Sequence, residues 1–290
     1  MNNNWGDPKS FPPQPPKEAK HKYYTALPGG QKFQLDIAAL KRDVKLDIAT
    51  TIYGMTPPDF TLAIAQTIKM CLELGLGWNW HVEKGNSDPA LARNLVVANF
   101  LKGKFTHLLF VDADHWWYND DILRMLAMDA PVLGMIYAKK ALDWAEVEKA
   151  AIECEQGKRK AQETKWDEIG TTCSGVLMDG AKEHDGIVEA IRLPAGGMLI
   201  KREVFERIME KRPDLKWNCG DGLPEDLAPY MWSFFQGGLD RDRKAYFGED
   251  YSFSNLCRSL GIRLYGDMMA KVIHFGTFGF VADPRRLIKP

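Results

Sequence analysis

No run of about 20 apolar residues occurs in this chain, so the sequence offers no membrane-spanning helix. The N-terminus, MNNNWGDPKSFPPQPP, lacks the basic start and apolar run of a secretory leader. An excess of positive charge is also missing: 38 Lys and Arg stand against 39 Asp and Glu, a formal net charge of -1. This disfavours a protein whose main affinity comes from nucleic-acid phosphates, although a local basic groove stays open. The five cysteines, Cys71, Cys154, Cys173, Cys219 and Cys257, are scattered and include no CxxC pair. They suggest neither a structural zinc site nor a disulfide framework, and reduced thiols in a cytoplasmic protein are the expectation. Neither GxGxxG after the first strand nor GxxxxGK[ST] is present, so a dinucleotide fold or an ATP-cradling loop is unsupported. What is present is an ordinary globular composition, 45% hydrophobic and 27% charged over 290 residues, with ample core for one large domain.

Residues 1–20 are polar and rich in Pro and Asn, which predicts a flexible tail. Tyr23-Tyr24 and Gln34–Leu40 predict a strand and a short helix around a Pro28-Gly29-Gly30 turn. Regular patterning starts at Val44. VKLDIATTIYG alternates, is rich in β-branched residues and ends at Gly54, as a strand does. Thr56 or Asp59 is placed to cap the next helix, whose apolar positions run from Leu62 to Leu72 until Gly75 and Gly77 stop it. GWNWHVEKG reads as a second strand with Trp78, Trp80 and Val82 on one face. Ser87-Asp88-Pro89 opens another helix, where proline at the first turn loses no hydrogen bond. That helix carries Ala92-Arg93-Asn94, buries Leu91, Leu95, Val96 and Phe100, and ends at Gly103. Strands and helices alternating over short connections make a doubly wound α/β unit.

The next stretch, THLLFVDADHWW, organises the chain. Leu108 to Val111 is a fully apolar run that suits a strand buried on both faces. It ends in Asp112-Ala113-Asp114-His115, at the carboxyl end of a strand, where open α/β sheets bind ligands. Two carboxylates cannot both face a hydrophobic core unpaired. A hard divalent cation resolves that cost and commonly brings substrate phosphates with it. Acids in a solvated turn near a helix N-terminus are the structural alternative.

Five blocks now stand in order: Ser87 to Asn94 with the Asp112-Ala113-Asp114 strand; PVLGMIYAKK (Pro131–Lys140); LPAGGMLIKREVF (Leu193–Phe205); Gly248-Glu249-Asp250-Tyr251-Ser252-Phe253; and His274-Phe275-Gly276. Together they resemble the GT-A glycosyltransferases, in particular the soluble bacterial and phage proteins of that type. The resemblance implies a Rossmann-like mixed sheet flanked by helices, a single α/β domain over residues 21–290. Its halves would be a nucleotide-sugar part (44–140) and an acceptor part (187–280), with a lid at 141–186. It implies donor contacts from Arg93, Asn94, Asp112, Asp114, Lys139 and Gly197. A Mn²⁺ or Mg²⁺ site follows from Asp112, Asp114 and His274, with Asp250 as base and Glu249 in support. The implied donor is a nucleoside-diphosphate sugar, most often of uridine, and the acceptor is a hydroxyl on a glycan, a protein or a modified DNA base.

The remaining stretches read less sharply. DWAEVEKAAIECEQGKRK predicts a charged surface helix, and Lys139 and Lys140 leave a strand end where phosphate could be met. Gly196-Gly197 marks either a tight turn or a close backbone approach. KREVFERIMEKR is an amphipathic helix, and residues 213–243 form a long loop rich in Trp, Gly and Asp. RLYGDMMAKVIHF reads as one strand carrying His274 near its end, and the tail from Ala282 to Pro290 is basic. A DNA acceptor would need a groove built from Arg241, Arg243, Lys244, Arg258 and the tail arginines. A nucleotidyltransferase would carry a Gly-rich basic segment after the first strand, which TIYGMTPPDF lacks. A non-catalytic nucleotide-sugar or glycan-binding protein is the other alternative.

Overall fold

The structure, a computed structural model, describes residues 24–26, 33–218, 223–240, 244–276 and 279–288. The expected tail at 1–20, Tyr23, the Pro28-Gly29-Gly30 turn, Cys219, Arg241 and Arg243 lie outside them.

A short antiparallel pair, β1 (Tyr24–Ala26) and β2 (Phe33–Leu35), leads into α1 (Ile37–Asp43). The expected α/β unit follows as β3 (Lys45–Ile52), α2 (Pro58–Leu74), β4 (Gly77–Lys84), α3 (Pro89–Lys102) and β5 (His107–Val111). Asp88 caps α3 by accepting from the Ala90 and Leu91 amides. Neither Thr56 nor Asp59 caps α2: its N-cap is Pro57, which has no side-chain acceptor, and Asp59 lies inside the first turn. Next come β6 (His115–Trp116) and α4 (Asn119–Met128), a helix not anticipated from the sequence. Its inward positions Ile122, Met125 and Leu126 do follow helical spacing. They are too few to stand out beside the aromatic run before them.

β7 (Val132–Met135), β8 (Ala138–Leu142) and α5 (Trp144–Glu155) follow, with only Ala150 of α5 buried. Then come β9 (Thr171–Cys173), β10 (Val176–Leu177), β11 (Ile187–Arg192), β12 (Gly197–Lys201) and α6 (Arg202–Lys211). The expected long loop at 213–243 holds two 3-10 helices, Pro213–Leu215 and Glu225–Tyr230, and β13 (Gly238–Asp240), which forms a hairpin with β14 (Ala245–Phe247). α7 (Glu249–Ser259), β15 (Leu264–Asp267), β16 (Ile273–Phe275) and β17 (Gly279–Phe280) follow, and a 3-10 helix, Pro284–Leu287, comes after them.

Among the described residues, eight strands form one mixed sheet in the order β10-β11-β15-β7-β12-β5-β3-β4. β3, β4 and β5 are parallel, while β12 runs antiparallel between β5 and β7. Side chains alternate across β5 as the pleat requires. Leu109 and Val111 join one core with Ile64 of α2 and Met125 of α4; Leu108 and Phe110 join the other with Phe100, Phe205 and Phe253. Helices therefore cover both faces, which is why every residue of β5 is buried.

RLYGDMMAKVIHF is not one strand. β15 stays in the large sheet and β16 joins β6 and β17 in a separate three-stranded sheet. The break is at Asp267, whose Oδ1 accepts from the Met269 and Ala270 amides at 2.9 and 3.1 Å. Arg124 holds that carboxylate, and Asp121 accepts from the Lys271 amide at 3.1 Å, so α4 staples the bend. Among the described residues, no helix is long and apolar enough to cross a membrane.

Candidate active site at the end of the central strand

β5 ends at Val111 and leaves Asp112 at its carboxyl end. The chain turns at once, the His115 amide donating to the Asp112 carbonyl at 3.2 Å. β6 then pairs with β16 so that His115 lies opposite His274, and the Phe275 amide donates to the Asp114 carbonyl at 2.8 Å. Backbone pairing thus gathers Asp114, His115 and His274. Each offers one ligand atom, and the three atoms all lie within 4.8 Å of one another. His274 Nε2 is 3.6 Å and His115 Nε2 3.9 Å from the Asp114 carboxylate.

Both imidazoles are oriented from behind. His115 Nδ1 lies 2.7 Å from the Gly196 carbonyl and His274 Nδ1 2.8 Å from the Ala138 carbonyl. A carbonyl only accepts, so each Nδ1 carries a hydrogen and each Nε2 of a neutral ring presents its lone pair. His115 Nε2 is buried and has no hydrogen-bond partner among the described residues. Burial holds this histidine below its ordinary pKa against the opposing charges of Asp112 and Asp114. A buried acceptor without a donor is costly, and a cation would satisfy it. The donor set, two imidazole nitrogens with Nδ1–H on backbone carbonyls and one carboxylate, fits a divalent transition-metal ion.

Burial pushes the Asp114 carboxyl up, but the His274 ring when protonated, the Lys140 ammonium and the charge of a protonated His115 outweigh that. They hold it well below the usual carboxylate range. Lys140 Nζ is in contact with Asp114 Oδ2, while its neighbour Lys139 is exposed. Tyr137 packs edge-on against both imidazoles, with ring centroids 4.3 Å from His115 and 5.3 Å from His274. Its hydroxyl accepts from the Gly196 amide at 3.2 Å. Gly196 is the close approach: a Cβ there would lie 2.4 Å from His115 Cε1 and 2.6 Å from Asp112 Oδ2. Gly197 sits one residue on, in β12, against Met135.

Asp112 is held by Arg93 rather than joined to the histidines. Arg93 Nη2 donates to Asp112 Oδ1 at 3.1 Å, and Nη1 lies 3.6 Å from Glu249 Oε1. Burial opposes the charge on Arg93, but Asp112, Glu249 and Asp250 more than compensate and keep it above its ordinary pKa. Asp250 follows Glu249 in the first turn of α7, and its Oδ1 accepts from the Tyr251 amide at 2.7 Å. Burial, then the charge of Glu249, pushes Asp250 up to about 6. Asn94 bonds to backbone. Its Nδ2 donates to the Phe235 carbonyl at 2.8 Å and its Oδ1 accepts from the Phe235 amide at 2.9 Å, clasping the loop to α3.

His115 was missed as a ligand candidate although it directly follows the two acids. Adjacency alone does not distinguish it from a core histidine; the free Nε2 and the carbonyl behind Nδ1 do. Arg258, expected as part of a basic groove, is buried instead, with Nη1 3.3 Å from the Ala190 carbonyl and 3.9 Å from Glu189.

No known family profile and no curated protein matches the chain. Among solved structures it is similar to the protein A197 from STIV, at 15% identity over 80% of this chain and 86% of that one, with a TM-score of 0.42. It is also similar to GalNAc-T7 solved with UDP, GalNAc and Mn²⁺, at 13% identity over 83% of this chain and 45% of that one, TM-score 0.42. A third likeness, at 11% identity over 78% and 93% of the two chains and a TM-score of 0.29, is a glycosyltransferase involved in glycosylating the major capsid of PBCV-1.

Proposed function

We propose that this protein is a metal-dependent glycosyltransferase of the GT-A type. It moves a sugar from a nucleoside-diphosphate donor, a uridine diphosphate sugar first among candidates, to a hydroxyl acceptor. The observation that carries this reading is the meeting of Asp114, His115 and His274 at the carboxyl end of β5, beside the Arg93–Asp112–Glu249 chain of charges. Two imidazoles and one carboxylate favour Mn²⁺ or a similar ion over Mg²⁺, which prefers oxygen ligands. An ion held there supplies Lewis-acid stabilisation of a diphosphate leaving group.

The chain's own residues do the remaining work. Arg93 keeps Asp112 fixed at the strand end, on the donor side. Lys140, paired with Asp114, and the exposed Lys139 beside it, both on β8, would meet the donor phosphates on this reading. Asp250, with a pKa near neutrality, takes the proton from the acceptor hydroxyl. The acceptor oxygen bonds to the anomeric carbon as the bond from that carbon to the diphosphate oxygen breaks, which inverts the configuration.

The test is a screen of nucleotide sugars with and without Mn²⁺, following release of free nucleoside diphosphate. Metal-dependent release from one donor, lost in Asp114→Asn, supports the reading. Release of pyrophosphate from a nucleoside triphosphate would favour nucleotidyl transfer instead. Donor binding without turnover under any acceptor would leave a binding protein.

A further inference from the structure

A second feature lies beside the acid cluster. A cleft of about 450 Å³ opens between the first turns of α3 and α7, with Glu249 in its lining. Glu249 is also the residue that reaches Arg93, so one lining residue of the cleft belongs to the charged chain that ends at Asp112. Its walls include Trp217, Tyr246, Gln236, Ser233 and Asp88. Tyr246 is 74% exposed although it belongs to a strand, and its ring serves no core. Trp217 is anchored behind by Leu95 and Met231 and is partly exposed in front.

The charge of the cleft selects among acceptors. Among the described residues, Asp88 and Glu249 are its only charged lining residues, and both are acidic. A phosphate there would face these carboxylates, and Asp88 already accepts from the first amides of α3, which would otherwise be free to bind an anion. Arg258 cannot offset their charge, because it is buried against Ala190 and Glu189 on the far side of α7. Aromatic rings beside amide, hydroxyl and carboxylate groups match a ligand with apolar C–H faces and many hydroxyls.

We infer that this cleft is the acceptor subsite and that the acceptor is an uncharged carbohydrate, stacked on Trp217 and Tyr246 with its hydroxyls toward Gln236 and Glu249. This rests on the glycosyltransferase reading above for the word acceptor; the cleft's preference for neutral sugar does not.

The experiment therefore has two arms on the full-length protein. In the first, an array of neutral oligosaccharides, a single-stranded DNA decamer and a Ser/Thr-rich peptide are titrated without donor. A neutral oligosaccharide is expected to bind, with affinity indifferent to salt. Tyr246→Ala is expected to weaken it at least about fivefold, the scale of one lost aromatic stack. Gln236→Ala, at an exposed position, serves as a second probe, since Trp217→Ala risks unfolding the loop. Binding of the DNA or the peptide but no oligosaccharide, or an affinity unmoved in both variants, overturns the inference. In the second arm, the bound sugar is expected to accelerate nucleoside diphosphate release from the wild-type protein. Sugar binding without any donor turnover would sink the transferase reading and leave the cleft as a sugar site.

Discussion

Arg93 and Asp112 form the joint on which the site turns: Nη2 donates to Oδ1 at 3.1 Å, with the guanidinium almost wholly buried in α3 and the carboxylate at the end of β5. The same group reaches Glu249 at the start of α7, so one side chain couples the two ends of the site. Removing one partner of a fully buried pair costs about 3–5 kcal/mol because the other charge is stranded. The Asp112 and Glu249 side chains remain 31% and 22% exposed, which lowers the expected cost. Arg93→Met should destabilise the fold by roughly 2–3 kcal/mol in urea denaturation. Arg93→Lys should recover part of that, since it restores the charge but cannot reach both carboxylates with a rigid fork.

Metal affinity should separate the roles around Asp114. Isothermal titration with Mn²⁺ should show at least about tenfold weaker binding in His115→Ala and in His274→Ala. Lys140→Met should bind Mn²⁺ more tightly than wild type, because the ammonium now competes for Asp114. Gly196→Ala should lose Mn²⁺ binding without touching a ligand, since its methyl would occupy the space of His115 Cε1 and the Asp112 carboxylate. Equal affinity in wild type and His115→Ala would show that the imidazole is only packing.

The pH profile should report Asp250. Its folded pKa lies above the ordinary 3.8, at about 6. As a base it works when deprotonated, so turnover at saturating Mn²⁺ should rise as pH climbs through about 6 and then level. Asp250→Asn should abolish transfer, and a profile still rising through the same window for residual activity would assign the rise elsewhere.

Asp47 gives a stability test away from the site. It is 2% exposed on β3, and burial pushes it up to about 6 despite the Asn79 amide donating to it at 2.8 Å. A raised carboxyl pKa means the folded state holds the proton more tightly than the unfolded one. The associated stability is present below the unfolded value of 3.8 and is lost as pH rises through about 6. At about 1.4 kcal/mol per pKa unit, Asp47→Asn should stabilise the protein by roughly 1–3 kcal/mol at pH 8 and leave it nearly unchanged at pH 4. Thermal melts at the two pH values read the difference directly.

By itself the sequence determined the elements whose cause is local. The alternation of β3, the apolar run of β5, Asp88 and Pro89 opening α3, and the placement of two acids at a buried strand's end are all written in neighbouring residues. Periodicity and capping act over a few residues, so they survive without knowledge of the fold. What only the tertiary structure decided is what crosses the chain. The Asp267 bend and the α4 staple divide what reads as one strand, and β16 then pairs with β6 to set His274 beside His115. The insertion of β12 next to β5 brings the Gly196 carbonyl behind His115, and with it the tautomer that leaves Nε2 bare. The same geometry makes Lys140 rather than Lys139 the partner of Asp114, and sends Arg258 inward. Such contacts depend on register between strands distant in sequence, and a one-residue slip would turn each side chain to the opposite face.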